Sequence, residues 1–160
     1  MRIEGATKTM KIKEAKVFVT GATGFIGSRL VESLIEDHSC EVYVLVRDFS
    51  KLSNICRYPV NVISGGLEDY KALRDGARKA DIVFNLASAM WGDRDYYYQL
   101  NVHALEVFLE ICKEEGIHHF IHTSSISVYG CPLSGVINEN TPRQKGNGDY
   151  ADSKIDGEKL

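Results

Sequence analysis

Two groups of side chains in this sequence have the types and spacing needed for proton transfer. Tyr150 and Lys154 stand four residues apart, and a hydroxyl cluster, Thr123-Ser124-Ser125, precedes them. A phenol ionises near pH ~10, so it needs a nearby positive charge before it can exchange a proton near neutrality. On a helix, Lys154 would lie one turn from Tyr150 on the same face. Taken alone, this spacing fits a surface tyrosine beside a chance lysine better, but the hydroxyl cluster favours chemistry.

The second chemical feature is a glycine-rich segment, Thr20-Gly-Ala-Thr-Gly-Phe-Ile-Gly27, directly after an apolar run at 17–19. Residues without a Cβ allow a tight turn and let the backbone approach a pyrophosphate closely. The anion would then be bound by amides at the start of a helix. Glycines after a strand also occur in turns that bind nothing, so the surrounding elements must decide between the two interpretations.

The elements around this segment are predicted to form a β-α-β unit. A strand is predicted at 16–20, a helix at 25–37 and a second strand at 41–47. On the helix, the apolar residues expected to share one side are Phe25, Ile26, Leu30, Leu34 and Ile35. The glycine segment therefore stands where a strand leads into a helix, as a phosphate-binding turn requires.

Further strands are predicted at 60–64, 81–87 and 118–124, with helices at 67–79 and about 95–115. This alternation predicts an α/β protein with a doubly wound parallel sheet, the Rossmann fold, with about five strands in the order 3-2-1-4-5. Ligands bind such sheets at the carboxyl ends of the strands, near the reversal of strand order. The predicted strand ends are at Thr20, Arg47, Ala87 and Ser124.

Composition excludes several classes of partner. The chain has 160 residues, with 19 basic and 22 acidic side chains and a net charge of −3, which gives no field favouring nucleic acid or an anionic membrane. No apolar run approaches membrane-spanning length. We expect a polar leader at 1–14, one domain at 15–160 and a small-molecule partner.

Cysteine and histidine usage predicts reduced thiols and no metal site. The four cysteines occur singly, without a Cys-x-x-Cys pair, and the N-terminus has no apolar signal core. We therefore expect a cytoplasmic protein in which Cys40 and Cys112 only pack. His118 and His122 would share one face of a strand, but no acid or cysteine motif accompanies them.

The order of these motifs resembles the extended short-chain dehydrogenase/reductase family, in its NAD-dependent epimerase/dehydratase group. The resemblance covers about residues 15–160. It rests on the glycine segment from Thr20, Asn85-Leu-Ala-Ser88, Asn101-Val102, Thr123-Ser-Ser-Ile-Ser-Val-Tyr-Gly130 and Tyr150-x-x-x-Lys154.

The resemblance implies a role for each matching residue. Ser125, rather than Ser124, corresponds to the family's catalytic serine and would hydrogen-bond the substrate oxygen. Tyr150 and Lys154 match the acid/base pair, and Lys154 would also contact the nicotinamide ribose. Asn101 would support a proton relay, although an asparagine in a helix equally fits a structural hydrogen bond. The residues expected to contact the cofactor are Gly21, Thr23, Gly24, Phe25, Ile26, Gly27, Arg47, Gly66, Leu67, Leu86, Ala87, Ser88, Tyr150 and Lys154.

Cofactor choice is expected to depend on the end of the second strand. An acid there binds the adenosine ribose hydroxyls, whereas an arginine favours the 2′-phosphate of NADP. Val46 aligns with the carboxylate of NAD-preferring relatives, and Arg47 follows as in the family's NADP-dependent reductases. We therefore expect NADP in preference to NAD. Two alternatives stay open: Arg47 as an ordinary surface charge, and Asp48 as the ribose ligand.

The sequence departs from the family pattern at two places. Relatives commonly have Gly-Asp-Leu after the third strand, whereas this chain has Gly65-Gly66-Leu67 and lacks the acid near the adenine. The chain also ends at Leu160, inside the predicted last helix, where relatives continue into a substrate-binding region. We therefore expect a fold truncated on its C-terminal side, as a fragment, a truncated reading frame or a chain that must associate.

Three functions are consistent with the sequence. The first is an NAD(P)-dependent epimerase or dehydratase that acts on a nucleotide sugar. The aromatic residues at 88–98 would stack on a ring of this substrate, or they only pack the start of the helix. The second, supported by Arg47, is an NADPH-dependent carbonyl reductase. The third is a cofactor-binding module without activity. The apolar face at Leu105, Phe108 and Leu109 also suggests a homodimer formed through the 95–115 and 150–160 helices.

Overall fold

The computed structural model describes residues 12–130 and 135–160. Its strands are β1 (Lys16–Thr20), β2 (Glu41–Val46), β3 (Val60–Ser64), β4 (Ile82–Asn85) and β5 (His119–His122). Its helices are α1 (Phe25–Glu36), α2 (Tyr70–Ala77), α3 (Arg94–Tyr98), α4 (Ala104–Glu114) and α5 (Asp149–Gly157), with 3-10 turns at Phe49–Asn54 and Ile126–Tyr129. The chain divides into unit 1, which contains residues up to Ala87 and Val107–Thr123, and unit 2, which contains Ser88–Glu106 and Ser124–Leu160.

Unit 1 contains a parallel sheet of five strands in the order β3-β2-β1-β4-β5, as predicted. The central strand β1 is apolar because both faces of a parallel sheet are covered. Val17, Phe18 and Val19 are all fully buried. Every strand lies within its predicted segment, although β4 and β5 are shorter than the predicted 81–87 and 118–124.

Aromatic rings and ion pairs pack the helices of unit 1 onto this sheet. Phe108 contacts Phe18 and Phe120 edge to face, with ring centroids 6.0 and 5.3 Å apart. Gly76 of α2 faces the Phe18 ring, where a Cβ would lie only 2.3 Å from the ring. Arg74 pairs with Glu114 and Glu115 at 2.6 and 2.8 Å, which joins α2 to the end of α4.

The predicted apolar side of α1 is wrong at its first two residues. The face toward the sheet is formed by Gly27, Val31 and Leu34, whereas Phe25 is 90% exposed and Ile26 is 59% exposed. Successive helical residues turn by about 100°, which carries Phe25 nearly to the opposite side from this face. Leu30 and Ile35 are partly buried at the edges of the core, as expected.

The helical stretch predicted at about 95–115 is confirmed, but it is not one regular α-helix. Residues Gln99–His103 form a π-helical turn between α3 and α4. A π-helical turn places one extra residue in the ladder of backbone hydrogen bonds, which a 3.6-residue periodicity does not register. On α4, Leu105, Phe108, Ile111 and Cys112 are buried. The homodimer expected through this helix stays a prediction.

Unit 2 packs α5 against α3, the π-helical turn and the 3-10 turn at Ile126–Tyr129. Gly157 allows the closest approach, because a Cβ there would lie 2.8 Å from the carbonyl oxygen of Asn101. The phenol of Tyr98 donates to Asp156 at 3.1 Å and joins α3 to α5. These contacts fix the helix that carries Tyr150 and Lys154.

The expected polar leader at 1–14 lies mostly outside the described residues. Its last part contacts the domain, because Ile12 packs against the core and its carbonyl oxygen accepts from Cys40 Sγ. Cys40 and Cys112 are buried, as predicted, and burial raises the pKa of the Cys112 thiol to about 12. Cys131 lies outside the described residues.

Candidate functional site

The glycine segment of unit 1 forms a tight turn from β1 into α1. Gly21 has a φ of +70°, a left-handed conformation that favours glycine, and its Cβ would lie 2.7 Å from the Ala87 amide nitrogen. A Cβ at Gly27 would lie 2.1 Å from the Gly21 carbonyl oxygen. The protein's own packing therefore requires both of these glycines.

Gly24 differs from Gly21 and Gly27 because there is space for a side chain around it. A Cβ there would meet one atom within 4 Å, the Gly21 carbonyl oxygen at 3.2 Å, and the residue is exposed. Packing of the described residues thus gives little reason for glycine at this position. Space in front of the backbone is what close approach of a phosphate group requires.

The start of α1 is suited to an anion. Gly24 is the N-cap residue, it contributes no side-chain cap, and no acidic side chain occupies the first turn of this helix. The first amides of a helix have no intrahelical partner and carry partial positive charge. Phe25 and Ile26 expose their side chains at this turn, and their contact with a cofactor stays a prediction.

Two contacts that the sequence did not reveal hold this turn in place. Asn54 Nδ2 donates to the Thr23 carbonyl oxygen at 2.7 Å. The buried Thr20 hydroxyl donates to Asn85 Oδ1 at 2.5 Å and accepts from the Ala87 amide at 3.2 Å. Thr20 and Asn85 are opposite each other in the sheet. Their contact could have been predicted from the sequence, because each is a polar residue at the end of an apolar strand. Asn54 gave no comparable signal, because its contact depends on tertiary folding.

Near the end of β2, where the adenosine ribose is expected, the carboxylate of Asp48 already has hydrogen-bond partners. Asp48 accepts from the backbone and hydroxyl of Ser50, at 3.0 and 2.6 Å, and caps the 3-10 turn at Phe49–Asn54. These hydrogen bonds lower the pKa of Asp48. Arg47 follows β2 and is exposed. Gly66 and Leu67 follow β3, at the same edge of the sheet, where Leu67 is buried.

In unit 2, Ser125 precedes the 3-10 turn that it caps. Its Oγ accepts from the Ser127 amide at 3.2 Å and from the Ser127 hydroxyl at 2.8 Å. Both contacts use Ser125 as an acceptor, so its own hydroxyl hydrogen can be donated elsewhere. The neighbouring Ser124 hydroxyl instead donates to Glu158. The two serines therefore differ in what their hydroxyl groups contact.

Tyr150 and Lys154 lie on α5, as predicted. The Tyr150 ring contacts Tyr97 edge to face, with centroids 5.7 Å apart. Lys154 is only 2% exposed, and burial lowers the pKa of its amine to about 8, against an opposing effect of Glu158. A buried amine is destabilising, because the charged form loses its hydration. A buried titratable group with a shifted pKa is typical of a functional site.

The contacts of Asn101 favour the structural interpretation of this residue. It is 3% exposed in the π-helical turn, and its amide accepts from the Ala89 amide at 2.8 Å. Its Nδ2 donates to the Ala89 carbonyl oxygen and to Ser153 Oγ, both at 3.1 Å. These hydrogen bonds fix the segment after Ser88 to α5, and they use the two amide hydrogens that a relay through the side chain would need.

The aromatic residues at 88–98 divide into two kinds. Tyr97 and Tyr98 contact Tyr150 and Asp156, so they pack within unit 2. Trp91 is 85% exposed and Met90 is 61% exposed. Tyr129, a further pocket candidate, lies under the Arg143 guanidinium at 5.3 Å. Stacking on a ring therefore stays a prediction that concerns Trp91 more than the tyrosines.

A family comparison decides what these features belong to. The model of the NAD dependent epimerase/dehydratase family matches residues 17–160. The chain belongs to this family.

Relatives within and near the family differ in what their names say they act on. An uncharacterized UDP-glucose epimerase of Bacillus subtilis, YtcB, is 33% identical over 91% of this chain and 50% of its own length. A 2-alkyl-3-oxoalkanoate reductase of Shewanella oneidensis is 31% identical over 99% of this chain and 41% of its own length. The chain thus spans half or less of these two relatives.

Solved structures share the same fold. One example is the UDP-glucuronic acid 4-epimerase of Bacillus cereus in complex with NAD, which is 29% identical with a TM-score of 0.78. The match covers 90% of this chain and 50% of the chain of that epimerase. Among the residues that the structure describes, no helix is long and apolar enough to span a membrane, and no three metal-ligating side chains cluster.

Proposed function

We propose that this protein is an NAD(P)-dependent oxidoreductase of the epimerase/dehydratase type that acts on a nucleotide sugar. The observation that carries the proposal is the buried Lys154, one helical turn from Tyr150 and in the same unit as Ser125. Burying a lysine without a function costs stability, whereas a positive charge near a phenol makes it an effective acid or base.

The glycine turn of unit 1 fits the pyrophosphate of a dinucleotide. Support comes from the space at Gly24, the uncapped amides of α1 and the absence of an acid from the first turn of that helix. Gly21, Thr23 and Gly27 would shape the turn around the phosphates. Leu86, Ala87 and Ser88 would line the nicotinamide side, since Ala87 adjoins Gly21. When bound, the nicotinamide supplies or accepts hydride.

Four polar side chains of unit 2 would then have distinct tasks. The Ser125 hydroxyl would donate a hydrogen bond to the substrate oxygen as charge develops there. The Tyr150 phenol would give or take the proton on that oxygen. The Lys154 ammonium would favour the phenolate by its charge and bind the nicotinamide ribose. Asn101 would position the segment at Ala89 rather than carry protons.

A carbonyl reductase that uses NADPH is the second candidate. Two observations favour it: Asp48 is already occupied as a cap, and Arg47 is exposed where a 2′-phosphate would lie. The reductase of Shewanella oneidensis also supports it. The resemblance to an NAD-containing epimerase points the other way. Binding titrations with NADPH and NADH, repeated on Arg47→Ser, separate the two, because only NADPH binding should weaken in the variant.

Turnover by Tyr150→Phe tests the main proposal. Loss of the phenol should reduce kcat by about 10²-fold or more, because no proton donor remains at the substrate oxygen. Cofactor affinity should stay within about twofold, since the ring and its contact with Tyr97 are kept. Candidate nucleotide sugars and carbonyl compounds should be assayed with the cofactor followed spectroscopically. An epimerase regenerates its cofactor, a reductase consumes it, and undiminished activity of the variant would contradict the assignment of Tyr150.

A further inference from the structure

Glu158 has contacts on both of its carboxylate oxygens. It stands one helical turn after Lys154, at the end of α5, and its side chain is 21% exposed. The Ser124 hydroxyl donates to Oε1, and Arg143 Nε donates to Oε2 at 2.8 Å. Three separate segments of unit 2 therefore meet at one carboxylate, and one of them adjoins Ser125.

The charges of Glu158 and Lys154 act on each other. Burial lowers the pKa of Lys154, and the carboxylate of Glu158 opposes that effect. At Glu158 itself burial acts to raise the pKa, but the hydrogen bonds from Ser124 and Arg143 outweigh it, and the pKa is lowered. Glu158 is therefore an anion throughout the neutral range, beside an amine that burial pushes toward its neutral form.

We propose that Glu158 is a positioning residue that keeps Lys154 in its charged form at neutral pH, and that Ser124 and Arg143 hold its carboxylate for this task. The inference rests on the proposed function, in which the ammonium charge favours the Tyr150 phenolate. Without Glu158, the buried amine would lose its proton at lower pH and could no longer provide that charge.

Other charged and titratable groups on the elements packed against α5 have different partners. Tyr98 and Lys145 bind Asp156, and Arg94 pairs with Asp149. The remaining such groups are Asp95, Tyr96 and Tyr97 on α3, His103 and Tyr129 on the two turns, Tyr150 and Asp152 on α5, and Lys159 just after it. The carboxylate of Glu158 acts to raise the pKa of Lys154, against the effect of burial.

The direct test measures the protonation of Lys154 in the full chain. Lysine labelled with ¹³C at Cε is titrated by NMR, and the Lys154 signal is assigned by its loss in Lys154→Arg. Glu158→Gln keeps the shape and an acceptor for Ser124 but removes the charge. We expect the midpoint of Lys154 to fall by about one pH unit, as loss of a close opposite charge should produce. An unchanged midpoint in the folded variant would overturn the inference.

Two further variants control for fold and for general charge. Asp156→Asn removes a carboxylate from the same helix whose partners are Lys145, Lys159 and Tyr98, and it should leave the midpoint of Lys154 within a few tenths of a pH unit. A fall equal to that of Glu158→Gln would refute a specific role. Glu158→Asp keeps the charge but shortens the side chain by one methylene, so the midpoint of Lys154 should lie between those of the unmodified protein and Glu158→Gln. Glu158→Asp also serves if Glu158→Gln does not fold. An unchanged Lys154 midpoint in Glu158→Asp would overturn the inference.

The kinetic arm links the titration to chemistry. The alkaline limb of the kcat/KM profile should move to lower pH in Glu158→Gln by the same interval as the lysine midpoint, and Glu158→Asp should recover part of it. A limb that stays in place while the midpoint moves would refute the proposed role in turnover. If the unmodified chain shows no turnover, the proposed function fails, whereas the NMR titration still decides whether Glu158 controls Lys154.

Discussion

The turn at Gly21–Gly27 and the polar group at Tyr150–Glu158 are built by different physical means. The turn is built from backbone amides, two glycines that packing requires and one that it does not. The group on α5 is built from titratable side chains, one of them a lysine with 2% exposure. The first should work over a wide pH range, because backbone amides do not titrate. The second should depend on pH and should reduce stability.

The two regions therefore differ in how their functional groups affect the stability of the surrounding structure. A glycine turn agrees with the packing around it, since close contact is what fixes Gly21 and Gly27. A buried amine loses hydration in its charged form, and burial accordingly lowers the pKa of Lys154. The predictions below address this contrast, from the largest expected effect on stability to the smallest.

The sharpest test inside the turn compares two glycines. Gly27→Ala should destabilise the protein by about 3 kcal/mol, because its Cβ would lie 2.1 Å from a backbone oxygen that cannot easily move. Gly24→Ala should cost only a few tenths of a kcal/mol, since it meets one atom at 3.2 Å. Chemical denaturation measures both. Equal losses would show that both glycines serve packing alone.

The same pair should separate binding from folding. Gly24→Ala should weaken cofactor binding by about tenfold or more, because the added methyl group occupies the space proposed for the pyrophosphate. Calorimetric titration with NADPH and NADH measures this, and the near-native stability of the variant serves as its control. Unchanged affinity would mean that the phosphates do not approach Gly24.

Removing the buried amine should stabilise the protein. Lys154→Met keeps the length and the apolar part of the side chain, and at pH 7 it should raise the free energy of unfolding by about 2 kcal/mol while abolishing turnover. The gain in stability is limited by the fall of the Lys154 pKa from the ordinary lysine value of 10.5 to about 8, at about 1.4 kcal/mol per pKa unit. Denaturant titration measures the change.

The sign of the pH dependence follows from proton binding. Between pH 8 and 10.5 the folded state holds fewer protons on Lys154 than the unfolded state, so wild-type stability rises with pH there. The advantage of Lys154→Met should therefore be largest below pH 8 and shrink above it. Lys113→Met, which removes an exposed lysine of α4, serves as the control and should show no such trend. A constant advantage for Lys154→Met would indicate packing rather than charge.

The smallest effect is expected at the support of the glycine turn. Thr20→Val should cost about 1–2 kcal/mol, because Asn85 and the Ala87 amide each lose a partner in a buried site. This loss should not vary with pH between 6 and 9, unlike the gain in stability expected for Lys154→Met. Ser53→Ala, at an exposed serine of the same unit, should be near neutral. A pH-dependent loss at Thr20 would contradict the proposed contrast.

Most of the sheet could be predicted from the sequence because its strands are short apolar runs bounded by turns. The order of strands followed from right-handed crossovers and was confirmed. The apolar side of α1 could not be read from periodicity, since Phe25 and Ile26 are apolar but belong to the exposed turn at its start. An apolar residue near a ligand site resembles a core residue in a sequence.

The contacts around the candidate site were harder to predict than its residues. Tyr150 and Lys154 share a helix and follow from spacing, but Asn54, Gly157 and Glu158 act through tertiary contacts. Asn54 meets Thr23 across 31 positions, and Ser124 meets Glu158 across 34. Only folding brings such residues together, so local pattern carries no sign of them.

The π-helical turn at Gln99–His103 fixes a rotational phase between two helices. One extra residue in a helix advances everything beyond it by about 100° around the axis. Tyr97 and Tyr98 can therefore face α5 while Leu105 and Phe108 keep their own buried direction. Deletion of a single residue there would leave an ordinary helix with one of these two faces turned away from its partner. The number of residues between 94 and 114 is thus a geometric requirement of this packing, separate from the identity of the side chains.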